Sequence, residues 1–181
     1  MTDAALIDAD EQHQVERLLE AARRTIAEVR YCWVVTPVSD GRANARVVKA
    51  FPNGDGEDLW TRWFLTMRTG RKSSEIRAAG RVTLAYQHDS GNAYVTLAGP
   101  AEIVDEPSAV ESRLTQVDDP GDTLQGKLVA VKCTADHLEL HVRGVTAEPW
   151  GHGRTLLERS RDGAWRLVPR AGDAIGRRPA L

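Results

Sequence analysis

From Arg30 onward, apolar residues recur at every second position between short clusters of Gly, Asp, Asn and Pro. A period of two is typical of half-buried strands, and such clusters are typical of hairpin turns. VSDGR at 38–42 and HDSGN at 88–92 each separate two of these runs. The pattern predicts six or seven strands with a few short helices, a mainly β chain of the α+β class that forms a closed antiparallel barrel. One strand is expected to span Ala43 to Phe51, and Gly99-Pro100 predicts a bulge or bend in another.

The first part of the chain has a different period. Asp8 to Val29 is the clearest helix in the sequence, and Asp8 with Glu11 predicts a capping pair at its start. Its apolar residues recur at helical spacing on one face: Val15, Leu18, Leu19, Ala22, Ile26 and Val29. We expect residues 1–29 to form an amphipathic helix packed on a domain of residues 30–170, with 171–181 as a frayed tail.

The segment FLTMRTGRKSSEIRAAGR at 64–81 predicts the end of a strand, a tight turn and a short helix. The helix is expected to open at Arg71, Lys72 and Ser73 and to end at Gly80, where a C′ glycine belongs. A helix N-terminus has unpaired N–H groups and a partial positive charge, so cations and hydroxyls there favour a phosphate or a similar anion. On these residues alone, a solvated turn is an equally good interpretation.

Composition excludes several classes of protein. The net charge is −2 with no basic block, which does not favour nucleic-acid binding. No run approaches the ~20 apolar residues of a membrane span, and the N-terminus lacks the pattern of a secretory signal, so a cytoplasmic protein is predicted. Cys32 and Cys133 are expected to be buried free thiols rather than a disulfide.

Three segments, FLTMRTGRKSSEI, GRVTLAY and AYVTLAGPAEIVD, together resemble the pyridoxamine 5′-phosphate oxidase-like, flavin-binding split-barrel superfamily. The segments NARVV, LELHVRG and GRTLLERSRDGAWRLVP occur in the same order, so the resemblance covers roughly residues 31–169. It implies a split antiparallel β-barrel that forms a homodimer, with two FMN sites at the subunit interface. It also favours the anion-site interpretation of Arg71 and Lys72 over the solvated turn.

By this resemblance, nine positions hold FMN. They are Arg46, Val47 and Val48 along the isoalloxazine and phosphate, Leu65 and Thr66 at a strand end, Arg71, Lys72 and Ser73 at the 5′-phosphate, and Arg159, which would reach the cofactor from the partner subunit.

Three further cofactor positions differ from the family pattern. The type enzyme has a Lys five residues after the Arg of ARVV, where this chain has Phe51, so Lys49 on the same strand is the candidate replacement. A flavin-contacting Gln is replaced by Tyr94, and a C-terminal Trp by His141. We keep all three as candidate cofactor contacts.

The substrate site differs more. The Arg and His that hold vitamin B6 in the B6 oxidases correspond to Thr155 and Leu157, so a pyridoxal phosphate synthase is disfavoured. The first hypothesis is an FMN-dependent oxidoreductase acting on an unidentified small molecule, with no obvious catalytic side chain. The second places the deazaflavin F420 on the same fold, since 20 Arg against 4 Lys is typical of GC-rich genomes and some such bacteria make F420. The third is a non-catalytic flavin-binding stress protein.

One last pattern suggests a metal. His137, Glu139 and His141 alternate with apolar residues and so share one strand face. Two imidazoles and a carboxylate are possible metal ligands, but such a row is more often the solvated face of a strand, so no metal site is predicted. A haem or metal binder is the least favoured hypothesis.

Overall fold

The computed structural model describes residues 3–117, 126–146 and 155–169, with side chains from residue 9 onward, so the expected tail at 171–181 lies outside it. These residues form three helices and ten strands, and all strand pairings are antiparallel. In chain order the elements are α1 (Asp3–Glu28), β1 (Cys32–Pro37), β2 (Ala43–Val48), β3 (Ala50–Phe51), β4 (Thr61–Met67), α2 (Arg71–Ala79), β5 (Arg81–His88), β6 (Ala93–Val104), α3 (Pro107–Leu114), β7 (Leu128–Thr134), β8 (His137–Val142), β9 (Thr155–Arg159) and β10 (Trp165–Leu167).

The strands curl into a split barrel, which confirms the fold class that the resemblance implies. The strand pattern alone predicts a closed barrel, but among the described residues the barrel is not closed, because β2 pairs only with β1 and β3 only with β4. Hydrogen-bonded ladders run from β2 through β1, β5, β6, β7 and β4 to β3, and β8, β9 and β10 continue the sheet from β6. The strand predicted over Ala43–Phe51 is divided at Lys49, because Val48 pairs with β1 whereas Ala50 pairs with β4. The covalent chain, rather than a continuous ladder, therefore links the two sides there.

Gly99 marks a corner inside one continuous strand. The β6–β8 ladder ends at Ala98, and the β6–β7 ladder begins at Ala101. A Cβ atom built at Gly99 would lie 2.0 Å from the Thr134 carbonyl oxygen, so only glycine permits this approach of two backbones. The predicted bend is thus the place where β6 exchanges one neighbour for another.

Helix α1 packs across the strands with the face that its periodicity predicts. Its buried apolar residues join the main core: Val15, Leu18, Ala22 and Ile26. The predicted start is wrong, because α1 begins at Asp3 and Asp8 lies inside it. Alanine and leucine between these positions are strong helix formers and extend the helix past the polar residue that would otherwise cap it.

Two further sequence expectations have clear outcomes. Cys32 and Cys133 are buried free thiols, as predicted, and burial raises their pKa to about 11 and about 12 respectively. Strand β9 was not predicted, because it is only five residues long and both of its end residues are polar. Its central residue, Leu157, is fully buried in the main core.

No helix among the described residues is long and apolar enough to cross a membrane.

Candidate functional site

The turn between β4 and α2 is built as the sequence predicts. Gly70 is the N-cap residue, and the first helical hydrogen bond is donated by Ser74 N–H to the Gly70 carbonyl at 3.2 Å. The N–H groups of residues 71–73 therefore precede the helical ladder. Gly80 ends the helix in the left-handed conformation, and its N–H donates to the Ile76 carbonyl at 2.8 Å.

Ser73 stabilises this turn from within. Its side chain is fully buried, and its hydroxyl donates to the carbonyls of Met67 at 2.5 Å and Gly70 at 2.8 Å. A hydroxyl has one proton to donate, so a ligand in this state would find a lone-pair acceptor at Ser73 rather than a donor. Its predicted place beside the phosphate stays a prediction.

A buried carboxylate, Glu75, lies at the centre of the cluster. Arg46 Nη1 lies 2.8 Å from Glu75 Oε2, and Arg46 Nη2 donates to Oε1 at 3.0 Å. Thr36 Oγ1 donates to Oε2 at 2.6 Å, and Asn44 Nδ2 donates to Oε1 at 2.8 Å. The hydrogen bonds from Arg46, and then from Thr36, lower the pKa of Glu75 to about 2.

The β1–β2 hairpin and α2 bring these groups together. Thr36 pairs with Asn44 in the ladder, and Arg46 follows two residues later on the same inward face. Glu75 lies four residues after Arg71, whose Nε is 3.3 Å from Glu75 Oε1. The Arg71 side chain is 76% exposed, so it contacts the carboxylate and remains open to solvent.

Lys72 lies at the edge of the same cluster. Its Nζ is 5.9 Å from the centre of the Phe64 ring, within the range of a cation–π contact. Burial, and then the charge of Arg46, lowers the pKa of Lys72. Arg46, Arg71 and Lys72 supply three positive charges against the one negative charge of Glu75, which leaves a net charge of about +2 at the α2 N-terminus. That balance suits a dianion such as a phosphate monoester.

The other predicted contacts on β2 and β4 differ in exposure. Val47 is half exposed, whereas Val48 is buried. Thr66 is buried at the end of β4, and Leu65 packs against a second apolar cluster beneath α3. Lys49 lies at the break between β2 and β3, where its ammonium donates to the Gln116 carbonyl at 2.5 Å.

Three predicted contacts lie on other parts of the sheet. Tyr94 and His141 stack on each other with ring centres 5.9 Å apart, and His141 Nδ1 lies 3.0 Å from Thr146 Oγ1. Arg159 is used within its own chain, donating to Asp58 Oδ2 at 2.5 Å and to the Gly163 carbonyl at 3.0 Å. Contact of Arg159 with a cofactor across an interface stays a prediction.

The outward face of the β1–β2 hairpin is apolar. Trp33 pairs with Val47, and each side chain is about half exposed, at 49% and 52%. The next outward pair along the hairpin is Val35 with Ala45. Together with Tyr31, 52% exposed and directly before β1, these residues form a continuous apolar surface on the hairpin whose other face carries Arg46.

His137, the first residue of the row on β8 that was considered as a metal site, contacts two carboxylates. His137 Nδ1 lies 2.6 Å from Asp136 Oδ1, and its Nε2 lies 3.7 Å from Glu158. Within the described part of the chain, no group of three or more His, Cys, Asp or Glu side chains is placed to hold a metal ion.

Sequence reasoning missed Glu75, Thr36 and Asn44. The spacing of four between Arg71 and Glu75 was a usable signal, because such pairs meet on a helix face. The pairing of Glu75 with Arg46, 29 residues earlier, depends on the packing of α2 against the hairpin, which no local pattern encodes.

Comparisons with known proteins agree with this architecture. The family model described as pyridoxamine 5′-phosphate oxidase like matches residues 17–115. A pyridoxamine 5′-phosphate oxidase-related, FMN binding protein from Nostoc punctiforme is similar in structure, with a TM-score of 0.62 and 13% identity over 84% of this chain and 95% of that one. A Clostridium acetobutylicum protein related to general stress protein 26 has a TM-score of 0.60 and 17% identity over 79% and 95% of the two chains.

A third structure, an F420 reductase, has a TM-score of 0.52 and 17% identity over 64% of this chain and 93% of that one. The search of curated proteins finds no match. At these identities the solved structures show a shared fold.

Proposed function

We infer the function of this chain from its family and its anion cluster: the chain belongs to the pyridoxamine 5′-phosphate oxidase-like family. We propose that it is an FMN-dependent oxidoreductase that acts on a small molecule. The observation that carries the proposal is the net positive cluster at the α2 N-terminus, where exposed Arg71 and half-buried Lys72 flank the unpaired N–H groups of residues 71–73.

The residues of the cluster fit a phosphate-bearing cofactor. Arg71 and Lys72 hold the phosphate, and the helix N–H groups complete its hydrogen bonds. Both terminal nitrogens of Arg46 contact the Glu75 carboxylate, so Arg46 supplies positive charge and fixes the position of Glu75. Arg71 supplies the N–H donors that the phosphate can reach. When bound, the flavin supplies the redox chemistry, and the chain supplies position and electrostatics.

The proposed homodimer rests on the apolar face of the β1–β2 hairpin. Trp33 and Val47 are half exposed at its centre, which is unusual for a surface that stays in water. A second copy that covers this face would bury it and place the flavin ring between subunits, next to the strand that bears Arg46. A cytoplasmic location remains a prediction.

The substrate we propose is not vitamin B6. Leu157 is fully buried and Thr155 begins the short strand β9, so neither position offers the charged or titratable group of the B6 oxidases. The similarity of fold to an F420 reductase supports F420 as the alternative cofactor. The other alternative is a flavin-binding protein without turnover, in which the same cluster would hold the phosphate.

The test is a titration of the purified protein with FMN and with F420, followed by absorbance and calorimetry. Arg71→Ala combined with Lys72→Ala is expected to weaken FMN binding by ~3–6 kcal/mol, because each charge-assisted bond contributes about 1.5–3 kcal/mol. Arg77→Ala is the matched control, since Arg77 is an exposed cation on the same helix outside the cluster.

Each outcome has a distinct meaning. FMN bound at one per subunit and lost in the double variant supports the proposal, whereas binding of F420 alone changes the cofactor. Unchanged FMN affinity in the double variant would overturn the phosphate site. With holoprotein in hand, reduction by nicotinamide donors and reoxidation by common acceptors separate an enzyme from a protein that only binds flavin.

A further inference from the structure

A second basic site lies at the other end of the barrel interior. A cavity of about 370 Å³ opens between the last turns of α1 and the strands β3, β4 and β5. Four basic side chains line it, and no acidic residue does so within the described part of the chain: Arg23, Arg30, Lys49 and Arg62. Its volume falls in the range of pockets that hold small organic molecules.

Arg62 is the buried member of this set. Its side chain is on the inward face of β4 and only 8% of the residue is exposed. Its Nη1 donates to the carbonyls of Leu59 at 2.9 Å and Thr61 at 2.7 Å, and no described carboxylate lies within salt-bridge distance. A buried charge is ordinarily paired, so Arg62 keeps a positive charge that its own chain does not neutralise.

Tyr86 gives an independent indication of a ligand. It also lines the cavity, and only 3% of the residue is exposed. Its hydroxyl lies beside the Cys32 thiol and the Arg62 guanidinium but meets hydrogen-bond geometry with no described residue. Burial raises the pKa of Tyr86 well above its ordinary value, so the hydroxyl keeps its proton and remains a donor at neutral pH. Buried hydroxyls are ordinarily satisfied, and an oxyanion beside Arg62 would satisfy this one.

The rest of the wall sets the character of the ligand. Ile26 and Ala27 from α1, Val29 directly after it, and Ala50 and Pro52 from the β3 region form an apolar lining around the basic groups. An inorganic anion would leave this apolar surface in contact with water, whereas an organic anion covers it. The combination fits a compact apolar body that carries a single carboxylate.

The site is separate from the α2 cluster. On β4, Arg62 and Thr66 face inward four residues apart, or about 13 Å along a strand, with fully buried Phe64 between them. On β1, Cys32 lies beside Tyr86 whereas Thr36 lies at Glu75, with Val34 between. Arg62 and Tyr86, which carry the inference, are not among the candidate flavin contacts, and Lys49 is the one residue that belongs to both sets.

We propose that the cavity at the C-terminal end of α1 binds a small organic carboxylate, with Arg62 and the Tyr86 hydroxyl as its anion contacts and α1 as its apolar wall. Arg30 and Lys49 add positive charge at the sides of the cavity. Arg23 lies at the rim, where it also forms an ion pair with Glu20. The chemistry that recognises the ligand is one carboxylate on an apolar ring or short chain.

Calorimetric titration with benzoate tests the proposal, with benzamide as the neutral probe of the same shape. Benzoate is expected to bind and benzamide to bind at least about tenfold more weakly, because hydrogen bonds to a charged group contribute about twice as much as neutral ones. Tyr86→Phe is expected to weaken benzoate about tenfold, as loss of one bond to a charged acceptor predicts. The midpoint of urea unfolding of Tyr86→Phe, compared with that of the parent protein, shows whether the variant retains the fold.

Ala27 offers a matched series, because it lines the cavity and is exposed on α1. Ala27→Glu is expected to abolish benzoate binding, Ala27→Gln to retain it and Ala27→Lys to strengthen it. Equal affinity for benzoate and benzamide, or no benzoate binding in the millimolar range, would overturn the proposal. So would loss of benzoate binding in the Arg71→Ala/Lys72→Ala variant, since that result would place the carboxylate at α2.

Discussion

The two ends of the barrel interior each contain an inward-facing arginine, and they handle its charge differently. At the α2 end, Arg46 meets the carboxylate of Glu75, which also accepts hydrogen bonds from Thr36 and Asn44. At the α1 end, Arg62 donates to two backbone carbonyls and has no carboxylate partner among the described residues.

This difference affects both stability and binding. At the α2 end the charges are coupled, so removal of one partner leaves another charge buried without compensation. At the α1 end no described carboxylate depends on the arginine, so removal of its charge should lower the free energy of unfolding by less. The donors that could bind an anion differ as well. At the α2 end they are Arg71 and Lys72 at the surface, whereas at the α1 end Arg62 itself lines the cavity.

The largest expected effect on stability is that of Glu75→Ala. It should lower the free energy of unfolding by about 3 kcal/mol, because Arg46 would lose its carboxylate while remaining mostly buried. Urea unfolding of the cofactor-free protein measures the change. Glu75→Gln, which keeps an acceptor, is the control and should lose less. A loss below about 1 kcal/mol for the alanine variant would mean that the two ends are alike.

The second effect is the pH dependence that the same carboxylate produces. The pKa of Glu75 is lowered from 4.5 to about 2 in the folded state, so its contribution is complete above about pH 4.5 and is lost as the pH falls towards 2. The difference in the free energy of unfolding between the parent protein and Glu75→Gln should therefore become smaller as the pH falls from about 4.5 towards 2. Other carboxylates with a lowered pKa, such as Glu57, titrate in both proteins and cancel. A gap that stays constant down to about pH 2 would contradict the assignment.

A smaller effect is expected for Arg62→Met. Two hydrogen bonds to carbonyls are lost, but an uncompensated buried charge is lost with them, so the net cost should be about 1 kcal/mol or less. Arg46→Met, the matched substitution at the other end, should cost about 3 kcal/mol. Comparable losses in the two variants would remove the distinction between the ends.

The smallest effect is expected for Arg71→Ala. Its contact with Glu75 is an i,i+4 pair with one highly exposed partner, so the cofactor-free protein should lose about 0.3–0.5 kcal/mol. Thermal unfolding with and without FMN separates this small structural contribution from the larger one expected in binding. Arg77→Ala again controls for the loss of a helix charge, and a loss above about 1 kcal/mol would place Arg71 within the buried network.

The sequence predicted the features that arise from neighbouring residues. The alternation after Arg30 predicted the antiparallel strands, the helical spacing from Val15 to Ile26 predicted the buried face of α1, and Gly80 marked the end of α2. The placement of Arg71 and Lys72 at a helix start followed from the same local rules. These patterns depend on periods of two and 3.6 residues, which a chain displays before it folds.

Tertiary structure alone decided which charges meet. Arg46 and Glu75 are 29 residues apart, and Arg62 and Tyr86 are 24 apart, so their proximity follows from ladder register and from the packing of the helices on the sheet. The division of one predicted strand at Lys49 has the same origin, since the barrel must pass from one ladder to another there. Local sequence sets the direction in which each side chain points, but the partner it finds depends on packing between distant segments, because electrostatic and hydrogen-bond energies depend on distance in space.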